Sequence, residues 1–250
     1  MNSVDLEIQV AGPIQNLGML YYFEPGTKEI GNGLGLNVVQ FYGIGRGGVL
    51  GDVSNDDVGE AFWFFHSNAI AGMYGSARAK AEPSEAARAH LQAAYAFADR
   101  TFGAIDSATL GAYADAARRV IDAVPAGQYA LFDGYRAFDV PSEPVHAAYL
   151  ATILLRELRG GVHITTTRKV GLAANEACYA QDAGIFKMHG YTDDDTPAET
   201  VETARKLAEA EELTTATMAG YLDVLDDDGR AALAAGVAAM SDALKAGAAT

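Results

Sequence analysis

The chain has 250 residues, half of them apolar, with a formal charge of −15 and an isoelectric point near 4.6. That is enough apolar side chain for one large domain, or one domain and a small appendage. The charge argues against a broad phosphate-binding face or attraction to anionic lipid, and a single cysteine, Cys178, excludes an intrachain disulfide and a cysteine-built zinc site.

Met1 to Ala11 carries Asp5 and Glu7 and lacks the basic start and apolar centre of a secretory signal. A soluble cytoplasmic protein that leaves the membrane alone is therefore expected. Pro13 predicts the start of a helix that ends in Tyr21-Tyr22-Phe23, and Glu24-Pro25-Gly26 predicts a turn. Residues 26–51 are rich in glycine. Their GIGRGG piece (43–48) lacks the Lys-Ser/Thr ending of a phosphate loop, so close helix packing is the preferred reading. The preceding LNVVQFY fits a strand or a helix.

Ser54 predicts a helix cap, with Asp56 and Asp57 in the first turn and an apolar run ending at His66. Further helices are predicted from Ser67 to Lys80, Pro83 to Phe102 and Ser107 to Val124, the longer ones from apolar spacing near 3.6. Pro125 to Pro141 reads as an aromatic connector. Ser142 to Leu172 is the longest apolar run. With Ser142 as cap and Pro144 in the first turn, it predicts a helix apolar on every side, hence buried. Gly160-Gly161 predicts its end, and a second element is expected from His163 to Val170. Leu172 to Asp182 reads as a short helix and 183–195 as a loop. Thr196-Pro197-Ala198-Glu199 is a capping box for a helix to Glu212. Leu213 to Leu225 reads as hairpin-like, and Asp228 to Ala246 as a last helix.

YYFEP (21–25), GLGL and FYGIGRGGVLGDV (33–53), AFWFFH (61–66), LATILLRELRGGVH (150–163) and GLAANEA (171–177) follow one another in an order that resembles the actinobacterial helix-turn-helix family. Arg46, His66, Arg156, Glu157, Arg159, Gly160 and His163 fall on that family's motif positions. The chain departs at Leu158, Gly161 and Val162, where the motif has His, Asp and Gly. The resemblance implies a mainly α fold: a multi-helix body over 1–190 and a small, degenerate winged-helix-like C-terminal part over 191–250, packed on the body. It implies no established reaction.

Two histidines at element ends, His66 and His163, are the candidate catalytic groups, as acid/base residues or as ligands to a metal or haem iron. The competing reading makes each a histidine bonded to a nearby carbonyl. No metal-ligand spacing occurs, so no metal site is assigned and the cofactor is left unknown. Arg46, between glycines, is suited to grip a carboxylate, of a ligand or of an acidic side chain. With Tyr22, Tyr42, Trp63 and Arg159 it makes up the candidate ligand-binding set. Arg156, Glu157 and Arg159 are expected to form an ion network. His146 reads as core-edge, His90 and His189 as exposed. The preferred function is a soluble small-molecule-binding protein with an aromatic-lined pocket, and a candidate enzyme of specialised metabolism using histidine acid/base or ligand chemistry there. The alternatives are a helix-turn-helix transcription regulator and an acidic interaction protein. The expected partner is a small-molecule ligand, with a homodimer left open and no nucleic acid. That last expectation rests on residues 191–250, which hold 13 acids against four bases.

Overall fold

Helix caps decide where most elements begin. The computed structural model describes residues 1–198 and 201–248, and among them there is no strand. Asn2 accepts from the Asp5 N–H and starts α1 (Ser3–Leu17), so Pro13 lies inside this helix instead of opening it. Proline leaves the carbonyl four residues back without its helical partner, and Gln9 there is exposed to water. Glu24 accepts from the Gly26 and Thr27 N–H groups, which makes Glu24-Pro25-Gly26 the start of α2 (Pro25–Gly33) and not a turn. An Asn37–Gln40 capping box settles the LNVVQFY stretch as α3 (Val38–Gly47).

Ser54 caps α4 (Asn55–Phe62) as predicted. Then come α5 (Ser67–Ile70), a π turn (Ala71–Gly75) and α6 (Ser76–Arg78). The next two helices, α7 (Pro83–Phe102) and α8 (Ser107–Ala123), match their predicted spans closely. The aromatic connector contains α9 (Ala130–Arg136).

The central helix α10 (Pro144–Lys169) runs through Gly160-Gly161 without a break. The predicted elbow is therefore absent, and the glycines have another use. A Cβ on Gly161 would lie 2.8 Å from Tyr129 Cβ, so this position lets the start of α9 close on the helix. The cap position is Glu143, not Ser142. Around α10 pack α8, α13, α9, α7 and α1. Its apolar surface is thus covered on every side, as an all-round apolar helix requires.

The segment read as a short helix and a loop forms two helices, α11 (Ala174–Gln181) and α12 (Ala183–Met188). The predicted capping box at Thr196–Glu199 lies partly outside the described residues. The described helix, α13 (Val201–Leu222), continues through the expected hairpin. Its threonines are accommodated by bonding back within the helix: Thr214 Oγ1 donates to the Ala210 carbonyl at 2.7 Å. Met218 and Leu222 then bury against the core, and that packing outweighs β-branched preference.

A last helix, α14 (Asp227–Ala248), lies on α8. Gly236 is needed there, since a Cβ would sit 2.3 Å from Tyr113 Cβ. Leu233, Val237 and Met240 are buried in the same cluster as α1, α7, α8 and α10. The C-terminal helices α13 and α14 pack on α1, α8 and α10. The expected winged-helix feature is missing: no strand, and so no wing, occurs among the described residues. A second, smaller cluster lies between α3, α4, the π turn and the start of α7.

Candidate functional site

Between the two clusters lies a cavity of about 870 Å3. Its floor is built by α3 and α10. The glycines of GIGRGG let α3 sink into the protein: a Cβ on Gly43, Gly45 or Gly47 would meet Met73, His90 or Tyr74 at 2.7, 2.5 and 2.9 Å. Close packing, not a phosphate cradle, explains them. Sinking the helix also buries the arginine among them, only 6% exposed.

Arg46 grips Glu157 with two parallel bonds, Nε to Oε1 at 3.2 Å and Nη2 to Oε2 at 2.8 Å. Its Nη1 donates to Tyr42 Oη at 2.7 Å, and its guanidinium lies 4.6 Å from the centre of the Phe62 ring. From one residue along, Arg156 Nη1 donates to Glu157 Oε1 at 2.6 Å and to Tyr22 Oη at 3.0 Å. Burial alone would raise the Glu157 carboxyl. The Arg46 and Arg156 guanidinia outweigh it and hold the group below its ordinary range. Arg46 thus takes a carboxylate as its sequence setting suggested, but the carboxylate belongs to the protein.

The expected Arg156–Glu157–Arg159 network divides in two. Arg159 turns the other way, donating to Glu7 Oε1 at 2.9 Å and pairing with Glu211 on α13. Burial raises the Glu7 carboxyl despite this arginine. His163 lines the cavity, stacked on Phe64 at 5.8 Å, with Nδ1 3.1 Å from Thr214 Oγ1 and 3.6 Å from Glu211 Oε2. Burial pushes its imidazole below the usual value, with Glu211 opposing and Arg159 assisting.

Tyr22, Tyr42, Arg46, Arg159 and His163 therefore share one cavity wall. His66 and Trp63 stand outside it. His66 caps α5, its Nδ1 accepting from the Asn68 N–H at 3.2 Å, and its ring meets Tyr191 at 5.4 Å. Trp63 meets Phe64 edge-to-face at 5.0 Å and lies under Arg168.

Two histidines read as exposed are not. His90 is fully buried among Tyr21, Tyr22 and Phe41, and burial drives its imidazole down to about 3, leaving it neutral. His189 lines the cavity and packs on Phe65 at 4.3 Å. His90 falls within the apolar spacing of α7. His189 is brought to the cavity by a chain reversal that local sequence does not announce. On the floor, Glu157 is taken up by Arg46 and Arg156, while Arg156 Nε is buried without a partner. No cluster of potential metal ligands occurs among the described residues.

A different surface lies on α7. The four residues 79–82 separate α6 from α7, the spacing of a helix-turn-helix unit. Glu82 caps α7 by accepting from the Glu85 N–H at 2.9 Å, and Pro83 occupies the first turn. Glu85, Arg88 and Gln92 point to solvent. Residues 76–88 carry three cations, Arg78, Lys80 and Arg88, against two acids. The pair α2 and α3 is also joined by four residues, with Gly35 at φ 73°, but α3 is largely buried and out of reach of a groove. Among the described residues no helix is long and apolar enough to cross a membrane.

No curated protein and no solved structure matches the chain. A family model described as "Helix-turn-helix family" matches residues 9–194. That match overturns two expectations drawn from the sequence. It favours the regulator alternative over a small-molecule-binding protein or enzyme of specialised metabolism. It also reverses the expectation of a small-molecule ligand and no nucleic acid, which rested on the acidic residues 191–250, almost all beyond the matched span. Spanning well over half of the chain, the match makes this protein a member of the helix-turn-helix family.

Proposed function

We propose that the chain is a transcription regulator of the helix-turn-helix type, acting on DNA in the cytoplasm. The observation that carries this reading is membership of the helix-turn-helix family over residues 9–194. Within that span α7 is the best candidate reading helix. It follows a four-residue turn, as the second helix of such a motif does, and it exposes Arg88 and Gln92 in its first half. These are side chains that pair with guanine and adenine edges. Arg78, just before the turn and paired with Asp52, and Lys80, within the turn and bonded to Gln40, are cations suited to the phosphates.

The charge distribution fits a division near residue 190. Of the net −15, most comes from residues 191–250, with their 13 acids and four bases. Those helices pack on α1, α8 and α10 and are assigned no contact with DNA. Carboxylates near phosphates oppose counterion release, so binding is expected to be local to α6 and α7 and sensitive to salt.

The test is a fluorescence-anisotropy titration of the full chain with promoter-derived and mixed-sequence duplexes at low salt. Binding that weakens steeply with added salt, and that Arg88→Glu reduces about tenfold or more, is expected. Absence of salt-dependent binding to every duplex, with the chain folded, overturns the reading.

A further inference from the structure

We propose that the segment between Gly171 and Gly190 is a flap, hinged at those two glycines, latched over the cavity by His189 and released by acid. This inference does not rest on the regulator reading.

Both ends of the segment are left-handed glycines, at φ 74° and 88°. Between them α11 and α12 pack chiefly on each other, with α11 also touching α13. Within the segment Phe186 is buried, 5.3 Å from the Tyr179 ring, and just past the second hinge Tyr191 stacks on it at 4.9 Å. It can therefore move as a unit. Its inner face supplies Cys178, Ile185 and His189 to the cavity wall. Across the cavity is the floor of α3 and α10, fixed by the bidentate Arg46–Glu157 pair.

The latch is a short seam with residues 64–66. The His66 N–H donates to the His189 carbonyl at 2.9 Å, the Phe65 and His189 rings meet at 4.3 Å, and Cys178 Sγ donates to the Phe64 carbonyl at 3.5 Å. His189 Nδ1 donates to the Ile185 carbonyl at 2.7 Å. That bond fixes the tautomer, so Nε2 is the nitrogen that takes a proton.

The charged and titratable groups around His189 give an added proton no counter-ion. Arg46 faces it from α3, and Glu157 beyond is already claimed by Arg46 and Arg156. His66 adjoins it from the segment before α5. Across the cavity His163 stands with Arg159 and Glu211. On the flap itself Lys187 pairs with Asp193, and Cys178 is a buried thiol.

Burial lowers the His189 imidazole and Arg46 lowers it further, with the Ile185 carbonyl opposing. The closed flap therefore holds fewer protons at His189 than the open one. Closure is fully favourable above the ordinary histidine value of about 6.5, and weakens as pH falls below it. A single such group shifts the opening equilibrium by up to about tenfold per pH unit.

Cys178, the single cysteine of the chain, is 1% exposed on the inner face of the flap and reports its opening. We would measure its reaction with 4,4′-dithiodipyridine at about pH 7.5 and about pH 5.5, each rate divided by that of the urea-unfolded chain at the same pH. Less protection at the lower pH, by up to about tenfold, is expected. His189→Gln should remove most of that pH dependence, and His163→Gln should keep it. Equal protection at both pH values, or an unchanged pH dependence in His189→Gln, overturns the proposal. Should His189→Gln fail to fold, hydrogen exchange on the unaltered protein decides. With each exchange rate divided by the intrinsic rate at the same pH, protection that falls at low pH only in residues 172–191 supports the flap, and protection that falls equally through α7 and α10 overturns it.

Discussion

The floor and the flap enclose the same cavity but are held in opposite ways. The floor is a long helix surrounded by others, carrying a salt bridge whose side chains are almost wholly buried. The flap is two short helices that lean on each other and meet the body along a short seam with residues 64–66 and where α11 touches α13. Burial of polar groups makes the floor costly to disturb and cooperative with the whole fold. Scarcity of burial makes the flap open without the rest unfolding. Stability thus varies across one cavity for reasons visible in the side chains.

The largest expected effect breaks the floor. Glu157→Gln leaves the Arg46 and Arg156 guanidinia, both buried, without their shared carboxylate. Stranding a buried charge in this way costs about 3–5 kcal/mol. Urea denaturation should show a much lower midpoint across the whole transition. A loss below about 1 kcal/mol would show that water reaches the floor and that the two regions differ less than their packing indicates.

A smaller pair of changes sharpens the contrast. Gly45→Ala places a Cβ 2.5 Å from the His90 ring, in a fully packed part of the floor. Overpacking there should cost about 1–3 kcal/mol of global stability. Gly190→Ala forces a side chain onto φ 88° and to within 2.6 Å of Ala69 Cβ. Its strain is of similar size, about 1–3 kcal/mol, but it falls on the hinge. Faster Cys178 labelling with a nearly unchanged urea midpoint is the expected outcome. A midpoint that drops as far as in Gly45→Ala would make the flap part of the global unfolding unit.

These two glycines also show what the sequence could and could not tell. Starts marked by local chemistry were legible: Ser54 capping α4, Pro83 opening α7 and Ser107 opening α8 agree with prediction. A cap acts within four residues, so its signal is local. Gly160-Gly161 misled because glycine signals either a helix end or a close neighbour, and the neighbour, Tyr129, lies far off in sequence. Residues 213–225 misled because their threonines favour strands locally, whereas burial of Met218 and Leu222 is decided by tertiary contact. For the cavity, Arg46, Tyr22, Tyr42 and His163 were legible as one group. That Arg46 closes on Glu157, 111 residues away, was not. His90 and His189 were misjudged for the same reason: their burial comes from partners outside their own helix.

The smallest expected effect tests whether the flap owes anything to its own salt bridge. Lys187 Nζ lies 3.1 Å from Asp193 Oδ1, close to the 2.8 Å of Arg46 and Glu157 on the floor. The side chains differ in exposure, 65% and 88% against 8% and 3%. Water and salt screen the outer pair, and holding a long lysine in one rotamer costs entropy that offsets the attraction. Lys187→Met keeps the apolar stem and removes the charge, so the flap should lose less than about 0.5 kcal/mol. Cys178 labelling at neutral pH should change by less than about twofold, and it should respond as little to added salt. If Lys187→Met instead loosened the flap about tenfold, the latch would be ionic, and the seam of His189 with Phe65 and His66 would be secondary to it.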